Sequence, residues 1–320
     1  MQIKRSTIAY YSARNGIYRE RKHVKSTLTL LAVCLLAIGM SGFVVSQSVR
    51  RDRVAAKAQP ISGLVVASAT IPATPAPTIT TVKPVAASPQ SAEMNSLSAV
   101  VQVATAQNKA SSWGVGVYDL QTKTWLLRDN VQQQMNSASL YKLYVAYALS
   151  QKVPFAEWAT TQMGGQSLQT CVDLMLRVSD NDCGNAVGAF VGWRAIDTTI
   201  HAAGFVGTTL NRTSGPVTNV DDTTRFTAAL YQGKLFDKPA TDFILASLHN
   251  QQYRSAIPAG CDGCKTYNKT GIEGGSAHDT AVVVSGNRSY VVTIMSEGGS
   301  YTKIASIERA IQTVISPPKP

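Results

Sequence analysis

Three short motifs contain the residue types that one acyl-transfer site needs. Ser139-Leu-Tyr-Lys142 places a hydroxyl and an amine three positions apart, so both lie on one face of a helix that begins near Ser139. A serine at the positive end of such a helix, with an amine in reach, is a candidate nucleophile. Ser179-Asp-Asn181 and Lys269-Thr-Gly271 follow later in the chain. Together the motifs predict a nucleophile that is activated by amines rather than by histidine.

Each motif alone also has an ordinary structural interpretation. Serine often caps a helix and lysine is often a solvated surface residue, so Ser139 and Lys142 by themselves indicate little. Ser179-Asp-Asn181 is also typical of a helix cap or turn, and Lys269-Thr-Gly271 of a strand end. The chemical interpretation depends on the three motifs occurring together. If Lys142 is buried close to a second lysine, its pKa is lowered and it can act as a base.

The elements that position these motifs are predicted to form one α/β domain, residues 93–320. The domain begins with an apolar helix and continues with a hairpin whose strands lie at 113–118 and 124–128. A second hairpin, at 280–285 and 290–295, precedes a last amphipathic helix.

The middle of the domain, about 139–250, has a mostly helical pattern. The predicted fold is therefore an antiparallel sheet assembled from both ends of the domain and flanked by helices, with an all-helical insertion. A cleft is expected where the sheet meets the insertion.

Most of the positive charge lies before this domain. The chain of 320 residues has a formal net charge of +11, and residues 1–95 contain 12 basic against 3 acidic side chains. Residues 96–320 contain 18 basic and 16 acidic side chains. The basic composition therefore gives no reason to expect that the folded domain binds nucleic acid.

The N-terminal part has the pattern of a membrane anchor. Residues 1–26 are basic, and residues 27–46 are apolar and contain no charged side chain, which is long enough to cross a bilayer. This order predicts a single span with a cytoplasmic N-terminus and an extracytoplasmic domain, with a cleaved signal peptide as the alternative. Cys34 within the span is expected to be a plain buried thiol. Residues 47–92, rich in Ala, Thr and Pro, are expected to be a semi-extended linker.

Residues 93–320 resemble the class A β-lactamases and, more widely, the penicillin-binding serine D,D-peptidases. The similarity extends beyond the three motifs to residues 178–185, 222–225, 257–260 and 278–282. The resemblance implies a β-lactamase/transpeptidase-like fold and an acyl-enzyme mechanism. No sequence feature indicates a cofactor, and none is expected.

The resemblance also implies roles for particular residues. Ser139 would be the nucleophile and Lys142 its base or proton relay. Ser179 would be the proton shuttle to the leaving nitrogen, and Lys269 the main amine that binds the substrate carboxylate. The remaining substrate-binding positions would be Asn181, Thr270, Gly271 and Ile272. Of these, the backbone N–H of Ile272 would complete an oxyanion hole with the N–H of Ser139.

One departure from the family pattern bears on turnover. In class A enzymes a glutamate on the omega loop activates the water that hydrolyses the acyl-enzyme, whereas Ser214 occupies that place here. The loop is short, and Arg212 and Asp222 are expected to form its bridging ion pair. Without a carboxylate base, deacylation loses a factor of about 100 to 10,000, so slow turnover is expected.

Three other carboxylates are candidate functional groups. Asp221 or Asp222 is a possible substitute base, although an aspartate near a helix start is more commonly a cap. Glu273, just after Lys269-Thr-Gly271, is expected to tune substrate selection from the wall opposite the omega loop.

The cysteines favour an exported domain. Cys171, Cys183, Cys261 and Cys264 allow three pairings, and the local pairs 171–183 and 261–264 are expected, in an oxidising compartment. A zinc site or a redox motif is the alternative. The histidines at 201, 249 and 278 have no spacing typical of a metal site and are expected to be structural or exposed.

Three functions fit this sequence. The first is a membrane-tethered serine hydrolase that opens β-lactams slowly. The second is a D,D-carboxypeptidase or transpeptidase that acts on the D-Ala-D-Ala stems of peptidoglycan. The third is a cell-wall binding module without turnover. The expected partners are thus a β-lactam or a peptidoglycan stem peptide and the membrane, and the protein is expected to be a monomer.

Overall fold

A computed structural model of the chain describes residues 88–316. The predicted basic N-terminus, the span at 27–46 with Cys34, and the linker up to residue 87 lie outside that range. Between residues 88 and 316, no helix is long and apolar enough to cross a membrane. The first helix begins at Pro89, four residues before the predicted domain start, because Ser88 caps it by accepting the N–H of Ser91.

The long strands lie toward the two ends of the described residues, and most of the helices lie between them. In order, the strands are β1 (Ser112–Asp119), β2 (Thr124–Asp129), β3 (Met135–Asn136), β4 (Gln162–Met163), β5 (Gln166–Ser167), β6 (Val217–Thr218), β7 (Lys265–Glu273), β8 (Ser276–Ser285) and β9 (Arg288–Glu297). The helices are α1 (Pro89–Gln107), α2 (Tyr141–Lys152), α3 (Leu168–Arg177), α4 (Asn181–Val191), α5 (Trp193–Ala202), α6 (Val220–Tyr231), α7 (Lys238–His249), α8 (Ile257–Gly260) and α9 (Tyr301–Ile315). Short 3-10 turns lie at Ala138–Leu140 and Phe155–Glu157.

The main sheet joins both ends of the domain. Its antiparallel order is β2-β1-β9-β8-β7, so the first hairpin pairs with the last through β1 and β9, where Val115 faces Ile294. This arrangement and the helical middle confirm the predicted fold. β8 begins four residues earlier than predicted, because Ser276 to Asp279 continue the ladder with β7 and place His278 opposite Gly271.

Two apolar cores hold the layers together. One lies between the sheet and the helices α1 and α9, and includes Leu97, Val292 and Ile307. The other fills the helical insertion around Trp158 and Phe226. Each of these large side chains is fully buried, which stabilises the fold by about 1.5–3 kcal/mol apiece. The cores therefore fix the two layers between which the motifs lie.

Both expected disulfides are present. Cys171 in α3 pairs with Cys183 in α4, with Cα atoms 4.9 Å apart, and so braces the two helices on either side of Ser179. Cys261 pairs with Cys264, with Cα atoms 5.6 Å apart, directly before β7. Each bridge therefore adjoins an element that carries one of the motifs.

A cluster of charges anchors the start of α6. Asp221 and Asp222 are buried there, and Arg225 contacts both, at 2.8 Å and 2.5 Å. Arg128 of β2 reaches Asp221 at 2.7 Å. Carboxylates at the first turn of a helix also favour the positive end of its dipole. The cluster ties α6 to the sheet.

Replacing Arg225 with Ala is expected to lower the free energy of unfolding by about 2–3 kcal/mol, because it leaves the buried carboxylate of Asp222 without a charge that offsets its desolvation, whereas Asp221 keeps Arg128. Lys238→Ala is the matched control. It removes an ion pair with Asp242 whose side chains are 83% and 60% exposed, and is expected to cost under about 0.5 kcal/mol. Urea unfolding of the full-length protein measures both. Equal losses would contradict the assigned role of Arg225.

Candidate active site

Ser139 and Lys142 lie side by side at the start of α2. Ser139 is in the 3-10 turn that leads into the helix, and Lys142 Nζ is 3.1 Å from Ser139 Oγ. The Lys142 side chain is fully buried. Its amine also donates to the carbonyl of Ser179 at 2.6 Å and to Oδ1 of Asn181 at 2.7 Å. These two acceptors hold the amine next to the hydroxyl.

Ser179 connects the two lysines. It precedes α4 and has a φ of +59°, a left-handed conformation that few residues other than glycine adopt. Its Oγ accepts a hydrogen bond from Lys269 Nζ at 2.9 Å and lies 3.5 Å from Lys142 Nζ. Lys269 is buried on β7 and also donates to the carbonyl of Thr270 at 2.7 Å. The four side chains thus form one continuous chain of hydrogen bonds.

Burial changes the protonation of both lysines. It lowers the pKa of Lys142 from 10.5 to about 8, although Asp180 and Glu273 act in the opposite direction. Burial and the nearby charge of Lys142 lower the pKa of Lys269 well below its ordinary value, with Asp279 opposing them. A fraction of the Lys142 amine is therefore neutral near pH 7 and able to accept a proton.

The backbone before Ser139 packs closely on β7. A Cβ added to Gly271 would lie 3.2 Å from the Ser139 nitrogen and 3.0 Å from the Cβ of Ala138, so only glycine fits without a shift of the turn. The next residue of β7, Ile272, is exposed and lines the cleft beside Ser139. The two expected oxyanion-hole donors are thus carried by the turn and by the strand that packs on it.

An open cleft of about 590 Å³ leads to Ser139. Its lining includes an aromatic pair, Tyr141 of the first motif and Trp193, which no motif indicated; their rings pack edge to face with centroids 5.9 Å apart. Tyr141 Oη donates to Asn185 Oδ1 at 3.2 Å. Burial, with Glu273 and Asp180 adding to it, raises the pKa of Tyr141 to about 12. Tyr141 is therefore a hydrogen-bond donor rather than a base at neutral pH.

Backbone hydrogen bonds join the two ends of the loop that corresponds to the omega loop. Thr209 and Val217 exchange hydrogen bonds of 3.0 Å and 2.9 Å, and β6 pairs with β3 just before the nucleophile turn. Ser214 lies in the turn between Arg212 and Gly215, whose N–H donates to the Arg212 carbonyl at 3.2 Å. Ser214 is exposed and is not part of the cleft lining.

The predicted ion pair between Arg212 and Asp222 is wrong. Asp222 instead contacts Arg225, and accepts a hydrogen bond from Thr208 Oγ1 at 2.9 Å. Arg212 is exposed and lines the cleft. The short bridge at Thr209 keeps Arg212 at the tip of the loop, while Arg225 reaches Asp222 from one turn away on the same helix.

The structure shows where the three candidate carboxylates lie relative to the cleft. Asp221 and Asp222 are both engaged by arginines, and neither lines the cleft. Burial raises the pKa of Asp222. Among residues 88–316, Glu273 is the carboxylate that lines the cleft, and it is exposed at the end of β7.

Comparisons with known proteins support the fold and the family similarity. Residues 157–315 match the sequence model described as the β-lactamase enzyme family, a segment that contains Ser179 and Lys269 and begins after Ser139 and Lys142. No curated protein matches the chain in sequence.

Solved structures share the fold. A β-lactamase from Sphaerobacter thermophilus is 20% identical with a TM-score of 0.61, covering 71% of this chain and 99% of its own. A β-lactamase from Xanthomonas campestris pv. campestris is 15% identical with a TM-score of 0.64, covering 70% and 99%. PBP-A is 18% identical with a TM-score of 0.59, covering 68% and 94%. Residues 157–315 thus match the β-lactamase enzyme family, and the domain shares the fold of these β-lactamase and PBP-A structures.

The lowered pKa of Lys142 predicts a specific pH dependence of acylation at Ser139. Only the neutral amine accepts the hydroxyl proton, so the rate is expected to rise about tenfold per pH unit at low pH and to level off above about pH 8. Lys142→Arg keeps the charge but removes the base, and is expected to slow acylation at least about 100-fold. A rate for the unmodified protein that does not change with pH would contradict this role.

Proposed function

We propose that this protein is a serine hydrolase that β-lactams acylate at Ser139 and that releases the product slowly. The observation that carries the proposal is the contact of 3.1 Å between Ser139 Oγ and the buried amine of Lys142, whose pKa is lowered to about 8. A hydroxyl next to a partly neutral amine is the arrangement that makes serine a nucleophile.

In the proposed acylation, Lys142 takes the proton of Ser139 as the oxygen attacks the substrate carbonyl. The N–H groups of Ser139 and Ile272 bind the oxygen that becomes negative. Ser179 passes a proton to the leaving nitrogen and is reprotonated from the lysines on either side of it, which its contacts with both amines support.

Other groups hold the substrate. Lys269 and Thr270 bind the substrate carboxylate from β7, and Gly271 keeps the strand close to the nucleophile turn. Asn181 bonds the substrate amide, and its side-chain oxygen also accepts from Lys142. The aromatic pair Tyr141 and Trp193 offers an apolar wall for the acyl side chain.

Slow deacylation follows from the cleft lining. No carboxylate of the loop from 208 to 219 lines the cleft, so the water that attacks the acyl-enzyme lacks the base of the class A pattern. Glu273 has a carboxylate in the cleft, but we assign it to substrate selection because it extends from the end of β7 rather than from that loop, and is exposed.

A D,D-peptidase that acts on D-Ala-D-Ala stems is the second candidate. The lack of a loop carboxylate favours it, because transfer to an amine acceptor needs no activated water. A mutant of PBP-A, 19% identical to this chain, was solved as an acyl-enzyme complex with penicillin G. A non-catalytic wall-binding module is a weaker candidate, since binding alone does not require two buried lysines.

We also propose that residues 27–46 anchor the protein in the membrane with the domain outside the cytoplasm. The uncharged run after a basic segment supports this orientation. Protease digestion of intact spheroplasts tests it: cleavage that releases the domain is expected, and full protection would overturn the orientation.

The first experiment is a time course of the full-length protein with benzylpenicillin, followed by intact-protein mass spectrometry. We expect an adduct on Ser139 that forms within minutes and decays slowly while penicilloate accumulates. Ser139→Ala is the control and is expected to give no adduct. An adduct that never decays favours the peptidase; no adduct and no product would overturn the proposal.

Exchange of Glu273 for Gln is expected to change selectivity between penicillins of opposite charge. Acylation by ampicillin, which carries an ammonium, should slow about threefold, because an exposed carboxylate attracts it weakly. Acylation by carbenicillin, which carries an extra carboxylate, should accelerate about threefold. Benzylpenicillin, with a neutral side chain, is the internal control. An equal change for all three would contradict a selective role.

A further inference from the structure

His278 links the sheet to the backbone before the nucleophile. It lies on β8, is fully buried, and faces Gly271 of β7 across the ladder. Its Nδ1 accepts the N–H of Ser296 at 3.1 Å. Its Nε2 therefore carries the proton and donates to the carbonyl of Asn136 at 2.7 Å. Both ring nitrogens are used, and one neutral tautomer satisfies both contacts.

Asn136 in turn shapes the nucleophile turn. Its Oδ1 accepts the N–H of Ala138 at 2.8 Å. Ala138 has a φ of +43°, in the left-handed region that is unfavourable for a residue with a side chain. The Ser137 N–H donates to the Pro216 carbonyl at 2.9 Å. The backbone directly before Ser139 is thus held in a strained conformation from two sides.

The two oxyanion-hole donors of the proposed function belong to separate segments. The N–H of Ser139 is on the strained turn, and that of Ile272 is on β7 next to Gly271. His278 is hydrogen-bonded to Asn136, in the segment that carries the Ser139 N–H. It also pairs with Gly271, the residue of β7 next to Ile272. A residue 278 with a side chain of another length, or without a donor at the Nε2 position, therefore changes the separation of the two segments.

We propose that His278 is a positioning residue that sets the geometry of the oxyanion hole through its hydrogen bond to Asn136. The inference rests on the proposed acyl-transfer function and adds a residue to it. Nδ1 accepts the N–H of Ser296, which requires a neutral ring, and burial lowers the pKa of His278 in the same sense, although the hydrogen bond to the Asn136 carbonyl and the charge of Glu297 oppose it. An apolar residue here would leave a buried carbonyl and a buried N–H without partners.

Two substitutions separate positioning from packing. In His278→Gln the amide nitrogen reaches the position of Nε2 and can donate to Asn136. In His278→Asn the amide ends near the position of Nδ1, so it can accept from Ser296 but cannot reach Asn136. Both replace a buried ring with a buried amide, and we expect similar losses of thermal stability.

The measurement is single-turnover acylation of the full-length protein by a fluorescent penicillin, which gives a dissociation constant and an acylation rate constant. We expect His278→Asn to lower the rate constant by about 10- to 100-fold, with a dissociation constant within about threefold, because misplacement of about 1 Å costs rate rather than binding. His278→Gln is expected to stay within about fivefold of the unmodified protein. Equal rates for the two variants, or a loss that follows only the unfolded fraction, would overturn the proposal.

A second reagent separates this proposal from the proposed function. A fluorophosphonate labels an activated serine without recognising a β-lactam. If penicillin fails but the fluorophosphonate labels the unmodified protein, β-lactam acylation is overturned, and the ranking of the His278 variants with the fluorophosphonate decides the positioning role. Labelling by neither reagent overturns both.

Nitrogen NMR of the unmodified protein provides a readout that does not depend on variants folding. We expect the His278 ring to carry its proton on Nε2, as a neutral tautomer with a slowly exchanging hydrogen. A proton on Nδ1 would mean that the bond to Asn136 is not made, and would overturn the proposal.

Discussion

The site depends on the burial of two lysine amines next to each other. Two positive charges a few ångströms apart in a region without water are unfavourable, and the least costly response is that an amine loses its proton. The hydrogen-bond acceptors around Lys142 are not strong enough to reverse this effect. By placing α2 and β7 on either side of Ser179, the fold therefore converts Lys142, an ordinary surface-type residue, into a proton acceptor.

This placement requires both layers of the domain. Lys142 and Ser179 belong to the helical part, whereas Lys269 belongs to the edge strand of the sheet, and each layer has its own apolar core. The disulfide between Cys171 and Cys183 braces the helices around Ser179, and the one at Cys261 precedes β7. The site is thus a junction that depends on the packing of both layers.

Much of this arrangement could be predicted from the sequence. The rest could not, for physical reasons. The occurrence of the three motifs together, and the family resemblance that it carries, predicted that Ser139, Lys142, Ser179 and Lys269 meet. The ion pair at Asp222 could not be predicted, since Arg225 is a nearer partner once the loop path is known. The role of Trp193 depends on tertiary contacts alone. His278 opens the family-like segment 278–282, but its hydrogen bond to Asn136 depends on tertiary packing that the pattern does not indicate.

The backbone bridge between Thr209 and Val217 also limits how such a protein can change during evolution. With the loop closed this tightly, Ser214 lies in an exposed turn, so a single substitution to glutamate there adds a carboxylate to the solvent face rather than to the cleft. Rapid hydrolysis would first need extra residues that open the bridge and extend the loop. The path from a slow acyl-enzyme to an efficient one is therefore an insertion, which is rarer than a point mutation and must be accepted before it is useful.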